Sequence, residues 1–491
     1  MARRSLLFFT FSLFCLLTLP RLLGLGMFFD GLQYASVARN LAQGYGTWFH
    51  LQYTDTLMAH FYEHPPVGFW LESLWFQVLG DHLWVEKLWG FTVALALGGV
   101  TAVLWRKVTQ APWGSRGEAG PKGAGEWWPL MLLVFNPLMF WIVSNNMLEL
   151  PMAVFSLLGA WAGLLAAAPL KKEGSIVGVW KSAGWGVAGG GWLLLAGLTK
   201  GPAGLFPLAA PVLAWLILAP HPGQRAGWVR AGAATLAMGL TLGVGLWAMV
   251  RFSPQAADYL NKYLSNQLMA SLEGKIAPAS TRFLFAINLA KDFLLAGVVA
   301  AGVWWAAGRP PLKTRENRGF FFFFSLALAG SLPMGLSPKQ SWWHIFASYP
   351  FYALALAALF RGSAEWLEER TASPRRQKKM VWTGGVLLLG GVAAMAALAG
   401  TPLREKSVHQ DLLTPPVALP PLQLLSVCPA ELFIDWHLMS YLQRQYRASL
   451  TTQPGSRYLL IQTGADCSPG PGCGQINPPQ SKQYRLYDCG D

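Results

Sequence analysis

Apolar residues in this chain come in long unbroken blocks, with polar residues gathered between them. Eleven blocks can be drawn, over residues 5–26, 83–105, 127–143, 150–168, 184–198, 203–219, 231–250, 283–307, 319–336, 342–360 and 381–399. Their lengths cluster near the ~20 residues that a helix needs to cross the hydrocarbon core of a bilayer. The pattern predicts an all-α polytopic membrane bundle of about 11 transmembrane helices over residues 1–400. Pro137 interrupts one block, and glycine dilutes the block at 184–198.

Two stretches of the loop at 27–82 have a different pattern. Leu32, Ala35, Val37, Ala38 and Leu41 fall at helical spacing within residues 31–42. Pro65-Pro66 then introduces residues 67–79, with Trp70, Leu71, Leu74, Trp75 and Val78. Proline is tolerated in a first turn, so a second helix is expected there. Both segments suit helices lying in the membrane interface, with plain surface anchoring as the bland alternative. The tail at 401–491 loses the long blocks and predicts a small soluble α/β domain. Its expected strands are 422–427, 458–462 and 484–487, its expected helix is 431–446, and Pro and Gly mark 468–479 as loop.

Composition agrees with a membrane protein. Hydrophobic residues make up 53% of the chain and charged residues 13%, about half the charged share of a soluble domain. Many tryptophans lie near block ends, where an amphipathic ring suits the headgroup layer. The net charge of +14 does not imply nucleic acid, because the Lys and Arg sit in short loops. Alternate loops differ sharply in charge. Arg3/Arg4, Arg106/Lys107/Arg116/Lys122, Lys171/Lys172/Lys181, Arg225/Arg230, Arg309/Lys313/Arg315/Arg318 and Arg361 to Lys379 supply 21 cations, against 7 on the other side. The positive-inside rule makes the rich side cytoplasmic. The N-terminus is then inside, and an odd number of spans puts the tail outside. Arg3-Arg4 precedes the first block as in a signal peptide, but no small-x-small cleavage site follows, so the block is expected to remain as a helix.

Cysteine usage gives the same orientation. Cys15 lies within the first block. Cys428, Cys467, Cys473 and Cys489 all lie in the tail, as expected for two disulfides in an oxidising compartment. Three pairings are open. A zinc cluster is the alternative, but paired C-x-x-C knuckles are missing. The expected location is a bacterial inner membrane with a periplasmic tail.

The candidate chemistry lies in the cation-poor loops. Asp30 opens the first amphipathic segment, with Tyr34 and Arg39 following. A carboxylate at a membrane boundary is costly unless something uses or pairs with it. It suits a base that takes or orients a hydroxyl proton, and equally a helix N-cap. The Glu63-His64 pair suits a metal, an amine or a phosphate. Glu149 follows Asn145-Asn146 at a hairpin tip, where an ordinary polar turn is the alternative. Lys200 in Lys200-Gly201-Pro202 and Lys339 near His344 are cations on a cation-poor face. Either they bind phosphate or they snorkel to the interface. The segment 253–282 mixes Tyr, Asn, Gln and Lys, and is expected to fold over the site.

These segments resemble the polytopic GT-C glycosyltransferases, specifically the family of ArnT-like aminoarabinose transferases and protein O-mannosyltransferases. Asp30-Gly31-x-x-Tyr34-Ala35 is similar to the family's first-loop acidic element. Glu63-His64-Pro65-Pro66-Val67-Gly68-Phe69-Trp70 looks like its Glu-Lys-Pro-Pro element, with His64 in place of Lys. Asn146 to Pro151 resembles the second acidic element, with Glu149 in place of Asp. Leu198-Thr199-Lys200-Gly201-Pro202 matches closely, and Lys339 to Pro350 resembles the late Tyr-Pro element. The resemblance implies Asp30 and Glu149 as catalytic acids. It implies Glu63, His64, Lys200, Lys339, His344 and Tyr349 as donor and phosphate ligands. Asn266, Gln267 and Arg282 are weaker counterparts of the family's His/Arg element, as are Tyr34 and Arg39 as site residues.

The implied reaction moves a sugar from a polyprenyl-phosphate donor to an acceptor at the periplasmic face. Lipid A, another glycan and a protein hydroxyl all fit as acceptor. The implied partners are membrane lipid, donor and acceptor, with no nucleic acid. No cofactor is required, and a divalent metal near Glu63 and His64 is an open alternative. A transporter or flippase of lipid-linked sugars is the rival class; it calls for mid-span charges and two symmetric halves.

Overall fold

The computed structural model describes residues 1–491 except 111–124, 169–174, 220–222, 274, 276–283, 313–316, 337–339, 414–416, 418 and 491. Each of the eleven apolar blocks contains a helix. Among the described residues seven helices are long and apolar enough to cross a membrane: Ala2–Arg21, Val85–Thr109, Glu149–Ala167, Arg225–Phe252, Leu284–Ala306, Arg318–Gly335 and Pro374–Ala397. The expected single span at 127–143 is instead two helices, Trp127–Val134 and Pro137–Ser144, bent by 75°. Pro137 cannot continue the first helix, and the Asn136 side chain caps the second by accepting from the Leu138 amide at 3.0 Å. Counted as one span, the pair makes an eighth. Pro202–Leu218 and Phe346–Leu359 are shorter apolar helices.

The glycine-rich block at 184–198 belongs to a longer helix, Ile176–Lys200. Its glycines are contact points. A Cβ at Gly186 would lie 2.4 Å from the Ala234 carbonyl oxygen, and one at Gly190 would lie 2.5 Å from that of Met238. The helix therefore packs backbone to backbone on Arg225–Phe252, as small residues allow in membranes.

The two loop helices form as the spacing predicts, over Phe29–Ala42 and Val67–Leu79. A hairpin tip holds the first one in place. The Phe28 amide donates to Asn145 Oδ1 at 2.7 Å, and Asn146 Nδ2 donates to the Gly31 carbonyl at 3.3 Å and to Glu72 Oε1 at 2.7 Å. At Gly31 an added Cβ would stand 1.9 Å from the Asn145 carbonyl oxygen, so only glycine permits this approach. Asp30 therefore sits inside the first turn, where the helix dipole favours a carboxylate; the capping position is Phe28, with no side-chain cap.

Arginines close the opposite end of the bundle. Arg318 donates to the Ala219 carbonyl at 2.7 Å, and Arg230 to that of Ala168. Helix C-termini leave unpaired carbonyls there, and these two cations satisfy them. Arg3 pairs with Glu368 at 2.8 Å, and Trp127 Nε1 donates to the same carboxylate at 2.8 Å.

The tail forms a five-stranded sheet in the spatial order Ser449–Thr451, Leu424–Cys428, Tyr458–Gln462, Tyr484–Asp488, Gly474–Gln475. The first three strands run parallel and the last two pairings are antiparallel. The short first and last strands had no alternating pattern to reveal them. The helix expected from residue 431 starts at Trp436, because Asp435 caps it through the His437 and Leu438 amides. A 3-10 turn, Ala430–Ile434, precedes it. Cys428 pairs with Cys467, and Cys473 with Cys489; Cys15 is buried and free.

The tail docks through buried arginines. Arg39 donates to the Gln443 and Arg444 carbonyls at 3.1 and 3.2 Å. Arg444 reaches Asp81 at 2.7 Å and Glu86 at 3.1 Å. Arg39, expected as a site residue, is thus part of the seam between the helical bundle and the tail.

Two outcomes are expected. Gly31→Ala costs about 3 kcal/mol through overpacking, read as a lower melting temperature in detergent, while Gly191→Ala, with nothing within 4 Å, leaves it unchanged. Burial alone would raise the Asp81 carboxyl, but Arg444, Arg39 and Arg447 outweigh it and hold it below its ordinary 3.8. The docking contribution is therefore full above pH 3.8 and is lost as pH falls through the lower folded value. Proteolysis at the seam should rise only below that pH, and Asp81→Asn should bring the same sensitivity at neutral pH.

Candidate functional site

The site forms where two helix ends meet. Glu149 lies in the first turn of Glu149–Ala167, and Lys200 in the last turn of Ile176–Lys200. Lys200 Nζ is 2.6 Å from Glu149 Oε1, with the carboxylate 0% and the ammonium 9% exposed. The N-terminus of one helix faces the acid and the C-terminus of the other faces the base, so both dipoles favour the charges they hold. Apart from Lys200, neither Glu149 oxygen has a partner among the described residues.

Tyr34 joins this pair to the rest of the site. Lys200 Nζ lies 5.7 Å from the centre of its ring, within cation–π range. Its hydroxyl is 2.8 Å from His64 Nε2. Burial pushes the phenol well above its ordinary value, and the nearby charges of Asp30, Glu149 and Glu63 push it further. The phenol therefore keeps its proton and can donate to an imidazole or a phosphate. Asp30 and Tyr34 are four residues apart on one helix, hence on one face.

The segment after Ser253 closes over this group, as expected. Helix Pro254–Tyr263 is followed by a π-helical turn, Leu264–Met269. Tyr259 donates to the His64 carbonyl at 2.6 Å, and Gln267 Nε2 lies 3.5 Å from Glu63 Oε1. Gly201 has φ +97°, and a Cβ there would lie 2.1 Å from the Tyr263 hydroxyl. The Lys200-Gly201-Pro202 element thus needs glycine for two separate reasons.

A cavity of about 520 Å³ opens beside these groups. Its lining includes Glu63, His64, Lys200, Gln267 and His344 together with Leu205, Phe206, Leu208, Leu268, Pro333 and Met334. A cation and hydrogen-bonding groups in the wall of a largely apolar cavity suit an amphiphile with an anionic head.

The structure therefore gathers Asp30, Tyr34, Glu63, His64, Glu149, Lys200, Gln267 and His344 at one end of the bundle. Three other candidates lie elsewhere. Arg39 is in the docking seam. Tyr349 is buried and donates to Asp292 at 2.7 Å, behind the cavity wall. Asn266 is exposed and accepts from Ser265. Lys339 and Arg282 lie outside the described residues. Among the described residues, no group of three or more His, Cys, Asp or Glu side chains is placed to hold a metal ion.

Sequence reasoning missed Asn145 and Asn146 as clamps, and Tyr259 and Tyr263 as supports. The i, i+4 spacing of the two tyrosines was the available signal.

No protein-family model matches this sequence, and no curated protein matches it. Solved structures do. The crystal structure of ArnT from Cupriavidus metallidurans bound to undecaprenyl phosphate superposes with a TM-score of 0.60 at 14% identity, over 98% of this chain and 97% of that one. The apo structure of the same protein gives 0.59 at 14% identity, over 98% and 96%. The chain thus has the polytopic GT-C membrane fold, in its ArnT-like form.

Removing one partner of the Glu149–Lys200 pair leaves the other buried and uncompensated. Lys200→Met is expected to cost about 3–5 kcal/mol, and the double variant Glu149→Gln/Lys200→Met to recover most of it. Melting temperatures in detergent for the four proteins of the cycle measure the coupling. Additive losses would show that the two charges do not depend on each other.

Proposed function

We propose that this protein is an integral membrane glycosyltransferase that moves a sugar from a polyprenyl-phosphate donor to an acceptor hydroxyl. The observation that carries this reading is the cavity of about 520 Å³. Its apolar lining suits a prenyl chain, and Lys200, which also lines it, pairs with Glu149. The shared fold with ArnT bound to undecaprenyl phosphate supports a polyprenyl-phosphate carrier.

In this reading the donor phosphate lies at Lys200, with Tyr34 and His64 as hydrogen-bonding neighbours. Asp30 takes the acceptor proton, or orients a phosphate oxygen where the acceptor is lipid A. The acceptor oxygen bonds to the anomeric carbon as the bond from that carbon to the phosphate oxygen breaks. The electron pair leaves on polyprenyl phosphate, and the anomeric centre inverts. Negative charge grows on the leaving phosphate, and a fixed cation in a partly dry site stabilises it. Glu149 holds Lys200 in place through their 2.6 Å ion pair. The charge count and the tail disulfides support a periplasmic face of a bacterial inner membrane for this end. The step as written requires no nucleotide and no metal.

The test is purified protein in proteoliposomes with a polyprenyl-phosphate sugar and an extract of envelope lipids and glycans, read by mass spectrometry. The expected product gains one hexose- or pentose-sized mass. Asp30→Asn should lower transfer by about 10²- to 10⁴-fold with an unchanged melting temperature. Undiminished transfer in that variant would remove Asp30 from the chemistry. Movement of donor across the bilayer without any transfer would favour a flippase.

A further inference from the structure

A second large cavity lies at the basic end of the bundle, away from the site above. Its volume is about 500 Å³, and it lies between helices Ala2–Thr18, Val85–Gln110 and Trp127–Val134. Leu7, Phe8, Phe11 and Phe14 form one wall, and Ala94, Leu95, Gly98, Gly99 and Ala102 form another. Leu7, Phe11 and Leu95 are exposed, so the groove opens outward along two membrane-spanning helices. At its end stand Arg4, Arg106 and Glu126; Arg106 is 56% exposed and pairs with Glu126, so two cations face one carboxylate there. Arg4 also borders an open cleft with Lys378 and Trp382, a cation and an indole of the kind found at headgroup level.

Volume and charge together define an occupant. A cavity of this size accepts a ligand of several hundred Å³. The wall is mostly aliphatic and aromatic, the opening lies along two membrane-spanning helices, and two arginines against one glutamate leave the end net cationic. The small residues are what leave the space: a Cβ at Gly99 would meet nothing within 4 Å. Two arginines at the mouth attract an anionic headgroup over a zwitterionic one.

We propose that this groove is a binding site for one anionic glycerophospholipid of the leaflet at the basic end, with an acyl chain along Gly98–Gly99–Ala102 and the phosphate at Arg4 and Arg106. The lipid would fill the gap between the first helix and its neighbours. It is separate from the donor cavity and needs no assumption about the reaction.

Native mass spectrometry of the full-length protein, delipidated and titrated with phosphatidylglycerol or phosphatidylcholine, tests the site. One phosphatidylglycerol should be retained, and phosphatidylcholine should be retained far less. Arg4→Ala/Arg106→Ala should weaken phosphatidylglycerol binding about thirtyfold. A Cβ at Gly99 meets nothing within 4 Å, so Gly99→Leu should fill the groove and abolish retention; an unchanged melting temperature of the lipid-free protein separates lost binding from lost folding. Equal retention of the two lipids, or equal retention by wild type and Gly99→Leu, would overturn the proposal.

Discussion

Glu149 and Lys200 carry opposite charges in a place with almost no water. Moving either ion out of water costs several kcal/mol, so the pair persists only because its surroundings favour both members. Each residue is at the end of a helix whose dipole has the helpful sign. The two helices run antiparallel, so those ends meet. Once the pair is fixed, Tyr34 has a cation against its ring, and His64 has the Tyr34 hydroxyl as partner. The candidate site is built outward from this contact.

Asp30 reaches the pair by a separate device. Its helix is joined to the hairpin tip at Asn145 and Asn146 by a close backbone contact that only Gly31 permits. The same asparagines immediately precede the helix that opens at Glu149. One short segment thus sets the positions of both acids, and a shift in it would move them together. Glu72, fully buried, receives Asn146. Burial pushes its carboxyl well above the ordinary range, with Glu86 adding to the effect.

The two ends of the molecule use their cations differently. At the basic end, Arg230 and Arg318 cap helix carbonyls, and Arg3 and Arg106 pair with acids. At the other end the cations are committed one by one, and Arg444 pairs with Asp81 and Glu86 in the seam. Arg39 holds the tail, and Lys200 faces the acid at the edge of an oily cavity. Because Arg39 and Lys200 have such different surroundings, charge alone was a poor guide to which one would border the cavity.

The sequence by itself determined the bundle, the two loop helices, the tail as a separate α/β unit, and the group Asp30, Glu63, His64, Glu149 and Lys200. Those features depend on local quantities: the length of an apolar run, the spacing along one face, and residue types between the blocks. Only the tertiary structure decided that residues 127–143 form a bent pair, that Cys428 joins Cys467, that Arg39 belongs to the seam, and that Tyr349 turns to Asp292. It also brought Tyr34 to the centre of the site and Tyr259 and Tyr263 behind it. Each of these depends on contact between segments far apart in the chain. A side chain of given type can serve either a site or a seam, and its neighbours in space, which composition and periodicity do not encode, settle the choice.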